Sequence, residues 1–468
     1  MEGAEIFLGD IIFLKARFEV KCMASRKITN WNVVADTEPK KMALEIVEEG
    51  LRASNPYSSV IEALSRMSDQ IQARRRKVVV GFGKASYQMA LACEESLGDR
   101  IDSGAIIVPK GSVKDSGLKR IRLLEGTHPV PTQLNVDSAR EILQLTGGLA
   151  SDDLVICLIS GGGSALFTYP AQDITLEDKQ EMTKLMLAAG LTIQEINCIR
   201  KHISGVKGGQ LARHIYPAWV VSLILSDVVG DDLSSIASGP TSPDPYTFED
   251  VMALFHKYHI TEKVPENIAA RIARGLEGRI PDTPKPDDRI FAKVANVIVA
   301  NNTRTLYSMA ERAESFGVKT MILTSYLEGE AREVGKVIGS IAKQVITQNL
   351  PLKPACAIFL GGETTVTLRG NGRGGRNQEM ALSVALSIRG LPKVIFVSVG
   401  SDGIDGNSDA AGAIVDGRTI DRALEKGLSP LKYLENNDSN TFLKAVDSLI
   451  YTGPTGTNVN DLSFLLFP

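Results

Sequence analysis

Several signatures of familiar chemistry are missing. The chain contains no GxxxxGK(S/T), which excludes a P-loop nucleotide site, and neither HRD nor DFG, which excludes protein-kinase chemistry. Ser164 lacks a following glycine at the spacing of a GxSxG elbow and has no histidine placed as its base, so serine-hydrolase chemistry falls away. The five cysteines, Cys22, Cys93, Cys157, Cys198 and Cys356, show no CxxC spacing and mostly sit in apolar segments, as reduced thiols do in a cytoplasmic protein. Five histidines form no HExxH, and His256 and His259 have no cysteine nearby, which removes the common zinc sites. No apolar run is long enough to span a bilayer, and Asp10, Lys15 and Arg17 interrupt the N-terminal "EIFLGDIIFLKARFEV", so neither a membrane span nor a signal peptide is expected. With 52 basic against 55 acidic residues the net charge is −3, and no field of one sign recruits nucleic acid or an anionic membrane.

What is present is globular: 468 residues, 43% hydrophobic, 23% charged, too long for one ordinary core. Apolar β-branched runs that end in glycine, serine or aspartate alternate with stretches of helical periodicity, the pattern of parallel strands joined by helices. Strands are expected at 77–83, 104–111, 153–162 and 219–227, and helices at 86–97, 137–148 and 176–190, the last opened by a capping-box pair, Thr175 and Asp178. Further strands, "VANVIVANN", "KTMILTS", "ACAIFLGGE" and "KVIFVSVGSDG", follow "RIPDTPKPDDRI" (279–290), whose proline and charge mark a linker. The expectation is an N-terminal extension over 1–41, one α/β domain over 42–285 and a second over 286–468, both Rossmann-like.

In open α/β sheets ligands gather at the carboxyl ends of the strands, where helix N-termini attract anions. "GFGKAS" (81–86) follows a strand and opens a helix, but Ser86 stands where a dinucleotide fingerprint has its third glycine; Lys84 suits a phosphate as a point charge. In "SGGGSALF", Ser160, Gly161, Gly162, Gly163 and Ser164 bring backbone N–H groups and two hydroxyls around a small anion or polyol. "NCIRKHISGVKGGQLAR" gathers Arg200, Lys201, Lys207 and Arg213, with Lys207 the preferred ligand contact among the glycines. Asp227, at the end of "WVVSLILSD", and Asp402, in "GSDGIDGNSDAAG", are strand-end carboxylates fit to hold Mg²⁺ or to engage a substrate hydroxyl. "GGETTVTLRGNGRGGRNQE" (361–379) places six glycines, three arginines and two glutamates in nineteen residues.

Together "VVVGFGKAS", "GTHPVPTQLN", "SGGGSALF", "SDVVGDDLSSIASGPT", "GGETTVTLRGNGRGGRNQE", "GSDGIDGNSDAAGA" and "TGPTGTNVNDL" resemble, in order from about residue 42 to the C-terminus, the glycerate 2-kinase family, whose C-terminal part is called MOFRL. The resemblance implies ATP-dependent phosphorylation of D-glycerate at its 2-hydroxyl with Mg²⁺ or another divalent cation, in a cleft between two α/β domains. By motif it carries over Lys84, Asp227, Arg376 and Asp402 as catalytic residues. On this reading Arg376, Arg373 and Lys84 neutralise the moving phosphoryl group. The Ser160–Ser164 stretch, with Lys207 or Arg200, seats the glycerate carboxylate. Of Asp227 and Asp402, one takes the hydroxyl proton and the other the metal. Glu379 orients Arg376, Glu363 reaches metal or ribose, and the domains close about the 279–290 linker. The polar end, Asn458, Asn460 and Asp461, either closes the cleft floor or caps a last helix. Family members have also been called hydroxypyruvate reductases, so an NAD(P)H-dependent reductase is one alternative and a non-catalytic phosphometabolite-binding module another; a homo-oligomer is compatible with either.

Overall fold

The computed structural model describes residues 26–468; Cys22 and the N-terminal apolar stretch lie outside the described residues. The first sheet contains β1 (Lys77–Phe82), β2 (Ser103–Pro109), β3 (Ile121–Gly126), β4 (Leu154–Ile159), β5 (Trp219–Leu225) and β6 (Val294–Ala300). They pair in the order β3-β2-β1-β4-β5-β6, every pairing parallel. The central strands β1 and β4 are buried throughout, as near-continuous runs of valine, isoleucine and leucine require when helices cover both faces. The strand order reverses between β1 and β4, so the loops after them diverge and leave a crevice at their carboxyl ends.

The second sheet contains β7 (Lys319–Leu327), β8 (Cys356–Gly362), β9 (Ile395–Gly400), β10 (Gly412–Asp416), β11 (Leu449–Ile450) and β12 (Asp461–Phe467), in the order β11-β10-β9-β12-β8-β7. It is mixed: β7 and β8 are parallel, while β12 lies antiparallel between β8 and β9. Residues 451–460 contain no helix, so the chain enters β12 without the crossover that a parallel strand needs. The polar segment Asn458–Asp461 therefore leads into a central strand and not a terminal helix. The capping box at residue 175 is present: Thr175 Oγ1 accepts from Asp178 N at 3.0 Å, and Asp178 Oδ2 accepts from Thr175 N at 2.8 Å.

Two boundaries differ from the sequence reading. Strand β6, expected in the second domain, is the edge of the first sheet, and the 279–290 segment is fastened to that sheet's layer. His202 Nε2 meets Asp282 Oδ1 at 2.9 Å, the Thr283 hydroxyl donates to Asp244 Oδ2 at 3.0 Å, and Arg213 donates to the Asp282 carbonyl at 2.9 Å. Charges that read as solvated turn inward to partners. The chain crosses between the sheets at Ala300–Asn302 instead, because the helix Asn302–Glu314 that follows β6 packs on β7 and β8.

The expected extension is also structured where described. Ile28, Trp31 and Val34 are buried, and Asn30 Nδ2 donates to the Leu449 carbonyl at 2.8 Å beside β11. The helix Glu38–Ala53 packs against Asn302–Glu314 and touches β9, which puts the start of the expected first domain on the second sheet. One apolar cluster runs from Val79 and Ile156 of the first sheet, through these helices, to Val397 and Phe464 of the second. Among the described residues no helix is long and apolar enough to cross a membrane.

Candidate active site

The loops after β1 and β4 lock together at the crevice. Lys84 N donates to the Gly161 carbonyl at 2.9 Å, and Ala85 N donates to Ser160 Oγ at 3.0 Å. Ser160 is fully buried and its hydroxyl is used in this contact, so it acts as a clamp between the loops. Lys84 is exposed and lines neither cavity described below, but its charge acts on both Asp227 and His128. The three glycines serve different needs. Gly161 has the Asp227 carboxylate directly against its α-carbon, where any side chain would displace it. Gly162 adopts a left-handed conformation (φ +80°) beside His128 and the Lys84 stem, and Gly163 is packed against Phe82 and Ala237.

Asp227 follows β5 and lies partly buried. Burial pushes its carboxyl up to about 6; the negative charge of Glu363 adds to the rise, while its own backbone N–H and Lys84 oppose it. Glu363, at the end of β8, thus faces Asp227 across the space between the sheets. Both line one cavity of about 760 Å³, together with Val228, Gly374, Gly375 and Arg376. Loops from the two sheets therefore converge on a single space.

Arg376 opens the helix Arg376–Ser387 on the second-sheet side. Its guanidinium forks onto Asp461, with Nε to Oδ2 at 2.6 Å and Nη2 to Oδ1 at 3.0 Å, while Nη1 reaches Glu363 Oε1 at 2.8 Å. These carboxylates hold Arg376 in its charged form. Glu379, expected to orient Arg376, instead pairs with Arg332, Nε to Oε1 at 2.8 Å, and accepts from Asn437 at 3.0 Å. Glu379 lines the same cavity as Arg376, with its carboxylate committed to these other partners. The amides of Asn377 and Gln378 are already taken by the buried Asp405 carboxylate, at 3.1 and 2.9 Å, so this helix start offers them to no ligand.

Other residues singled out by motif fall elsewhere. Asp402 lies off the cavity lining; its Oδ1 accepts from Ile404 N at 3.1 Å and closes a turn within its own loop. Arg373 is exposed and pairs with Asp409 at 2.8 Å, while the glycines on either side of it line the cavity. Ser164, Gly162, Arg200 and Lys207 line a second cavity of about 470 Å³ on the other side of the Ser160–Ser164 loop. There Lys207 Nζ donates to the Ser164 carbonyl at 2.7 Å, and the Ser164 and Ser238 hydroxyls meet at 2.6 Å. Sequence reasoning did not place His128, Lys179 or the Arg376-holding role of Asp461. His128 and Asp461 lie inside quoted motifs, but Lys179 carries no local signal.

Comparison with known proteins gives the family and the fold. Residues 42–273 match a domain of unknown function (DUF4147), and residues 356–461 match the MOFRL family. A glycerate 2-kinase of Pyrococcus horikoshii is 42% identical over 90% of this chain and 96% of its own length. A protein of Agrobacterium vitis, provisionally named a hydroxypyruvate reductase, is 40% identical over 93% of this chain and 95% of its own. The crystal structure of glycerate kinase from Thermotoga maritima superposes with a TM-score of 0.85 at 40% identity, covering 92% of this chain and 99% of that one. With that identity over almost the whole of both chains, on the same fold, this chain belongs to the glycerate 2-kinase family.

Proposed function

We propose that this protein transfers the γ-phosphoryl group of ATP to the 2-hydroxyl of D-glycerate, giving 2-phosphoglycerate and ADP. The observation that carries the reading is the convergence of Asp227 from the first sheet with Glu363 and Arg376 from the second on one cavity. Phosphoryl transfer asks a protein chiefly for alignment and for neutralisation of spread negative charge. Arg376 supplies a fixed guanidinium on the cavity wall. Lys84 adds a second cation at the end of β1, near enough to act on both Asp227 and His128. Asp227 accepts the hydroxyl proton, its carboxyl raised toward the range where a general base works best. The glycerate carboxylate rests beside the Ser160–Ser164 loop, with Arg200 and Lys207 as its cations.

Among the described residues no group of three or more metal-ligating side chains occurs. That fits Mg²⁺, which is usually held by one or two carboxylates plus substrate phosphates. Glu363, whose Oε1 is bound to Arg376 and whose Oε2 is left over, faces the cavity and takes the place the sequence reading offered to Asp402. When bound, the cation would neutralise phosphate oxygens.

The test is glycerate-dependent ADP formation followed across pH, with NADH and hydroxypyruvate as the control. The Asp227 carboxylate must be ionised to accept a proton, so kcat/KM is expected to fall about tenfold per unit below pH 6. NADH oxidation without any ATP requirement would favour the reductase reading and contradict this one.

A further inference from the structure

The second cavity has an unusual lining. Its titratable groups are His128, Lys179, Lys184, Arg200 and Lys207, all basic, and no aspartate or glutamate lines it. Lys179 and Lys207 are only 7% and 3% exposed. Neither has a carboxylate partner among the described residues: Lys179 Nζ donates to the Ile203 carbonyl at 3.2 Å, and Lys207 Nζ to the Ser164 carbonyl. Burying an ammonium group without a counter-charge is costly. Nearby Lys201, on the same helix as Arg200, shows the ordinary solution: it is equally buried and pairs with Asp244 at 3.1 Å. Lys77, elsewhere in the fold, also ends on a backbone carbonyl, but among the described residues only in this cavity do two buried lysines without a carboxylate stand together beside an arginine.

We propose that Lys179, Arg200 and Lys207 form one anion seat for the acceptor's carboxylate, with Lys179 the residue that selects an acid over a neutral polyol. The proposal rests on the glycerate kinase reading and deepens it. Ser164, whose carbonyl holds Lys207, lies three residues from Gly161, on which the Asp227 carboxylate rests. One loop therefore serves both places: Gly161 abuts the Asp227 carboxylate and the next residue, Gly162, lines the second cavity.

The charge state of the seat follows from what faces it. Lys179, on the helix Leu176–Ala188, is faced by Arg200 from the helix Ile193–His202, Arg271 from the helix Glu266–Leu276, Lys207 from the loop before residue 210, and His128 from the loop after β3. Burial, reinforced by Arg200 and Arg271, brings its ammonium down to about 7, and burial with Lys179 and Arg200 puts Lys207 well below its ordinary range. An entering anion stabilises the protonated forms, so binding takes up a proton and weakens as pH rises through about 7.

The test uses the full chain with Lys179→Met and Lys179→Arg, measuring kcat, the KM for D-glycerate and for ATP, thermal denaturation, and calorimetric titration with D-glycerate in the absence of nucleotide. Lys179→Met is expected to raise the glycerate KM by about 10- to 100-fold, leaving kcat and the ATP KM within about twofold. Its melting temperature should hold or rise, because an uncompensated buried charge is gone, and Lys179→Arg should recover most of the affinity. If the Met variant does not fold, Lys179→Gln replaces it in the same measurements. Unchanged glycerate KM and binding heat in a folded variant, or a loss confined to kcat, would overturn the seat while leaving the kinase reading intact. Wild-type protein that binds D-glycerate through Lys179 but makes no phosphorylated product would keep the seat and remove the kinase. Neither binding nor turnover would overturn both.

Discussion

Asp227→Asn is expected to lower kcat by about 10³-fold, the size of losing a well-placed general base, while making the folded protein more stable at neutral pH. The two effects share one cause. Burial and the facing Glu363 raise the folded carboxyl to about 6 from an ordinary 3.8, so the folded state holds the proton more tightly than the unfolded chain does. Stability from this group is fully present below about 4 and is lost as pH rises through about 6. At pH 7.5 the ionised carboxylate is therefore a cost. Because Asp227 is only partly buried and screened by water, removing its charge should return about 1 kcal/mol. Urea denaturation and steady-state turnover on the same preparation check both signs. Near-wild-type turnover in a folded Asn variant would remove Asp227 from proton transfer, and a stability loss would contradict its electrostatic account.

Arg376→Ala is expected to do the opposite to stability. Asp461, 3% exposed, loses a two-pronged guanidinium partner, and orphaning a buried charge commonly costs about 3 kcal/mol. Turnover should fall about 10³-fold as the fixed cation for the phosphoryl group disappears. The double variant Arg376→Ala/Asp461→Asn separates the two losses, since it removes the orphaned charge without restoring the cation. Denaturation midpoint should recover toward wild type while kcat stays low. Recovery of kcat along with stability would mean that Arg376 serves only the fold.

The sheets were legible wherever burial on both faces forces an unbroken apolar run, as in β1, β4, β8 and β9. The edge strand β3 was not, because "IRLLEG" carries polar residues toward solvent. The closing strand β12 hid behind the Asn-rich turn before it. At the site, strand-end position pointed to Lys84, Asp227, Glu363 and Asp402, since chemistry on an open sheet is read from its carboxyl edge, while Arg376 came from the motif resemblance. Of 402, 405 and 409 the sequence reading chose Asp402, because position alone does not show which aspartate turns inward. In the structure Asp405 does, and it ties the helix that bears Arg376, whereas Asp402 closes its own turn. Lys179 was illegible for a different reason. On an amphipathic helix a lysine reads as solvated, and only the packing of that helix on segments remote in sequence makes it the wall of a cavity.

The central claim is phosphoryl transfer to the 2-hydroxyl of glycerate, and ³¹P NMR of the purified protein with ATP, Mg²⁺ and D-glycerate tests it most directly. A glycerate-dependent resonance that matches added 2-phosphoglycerate is expected, growing as ADP appears. A 3-phosphoglycerate resonance would contradict the placement of the hydroxyl at Asp227, and folded protein that yields no glycerate-dependent product would contradict the kinase itself.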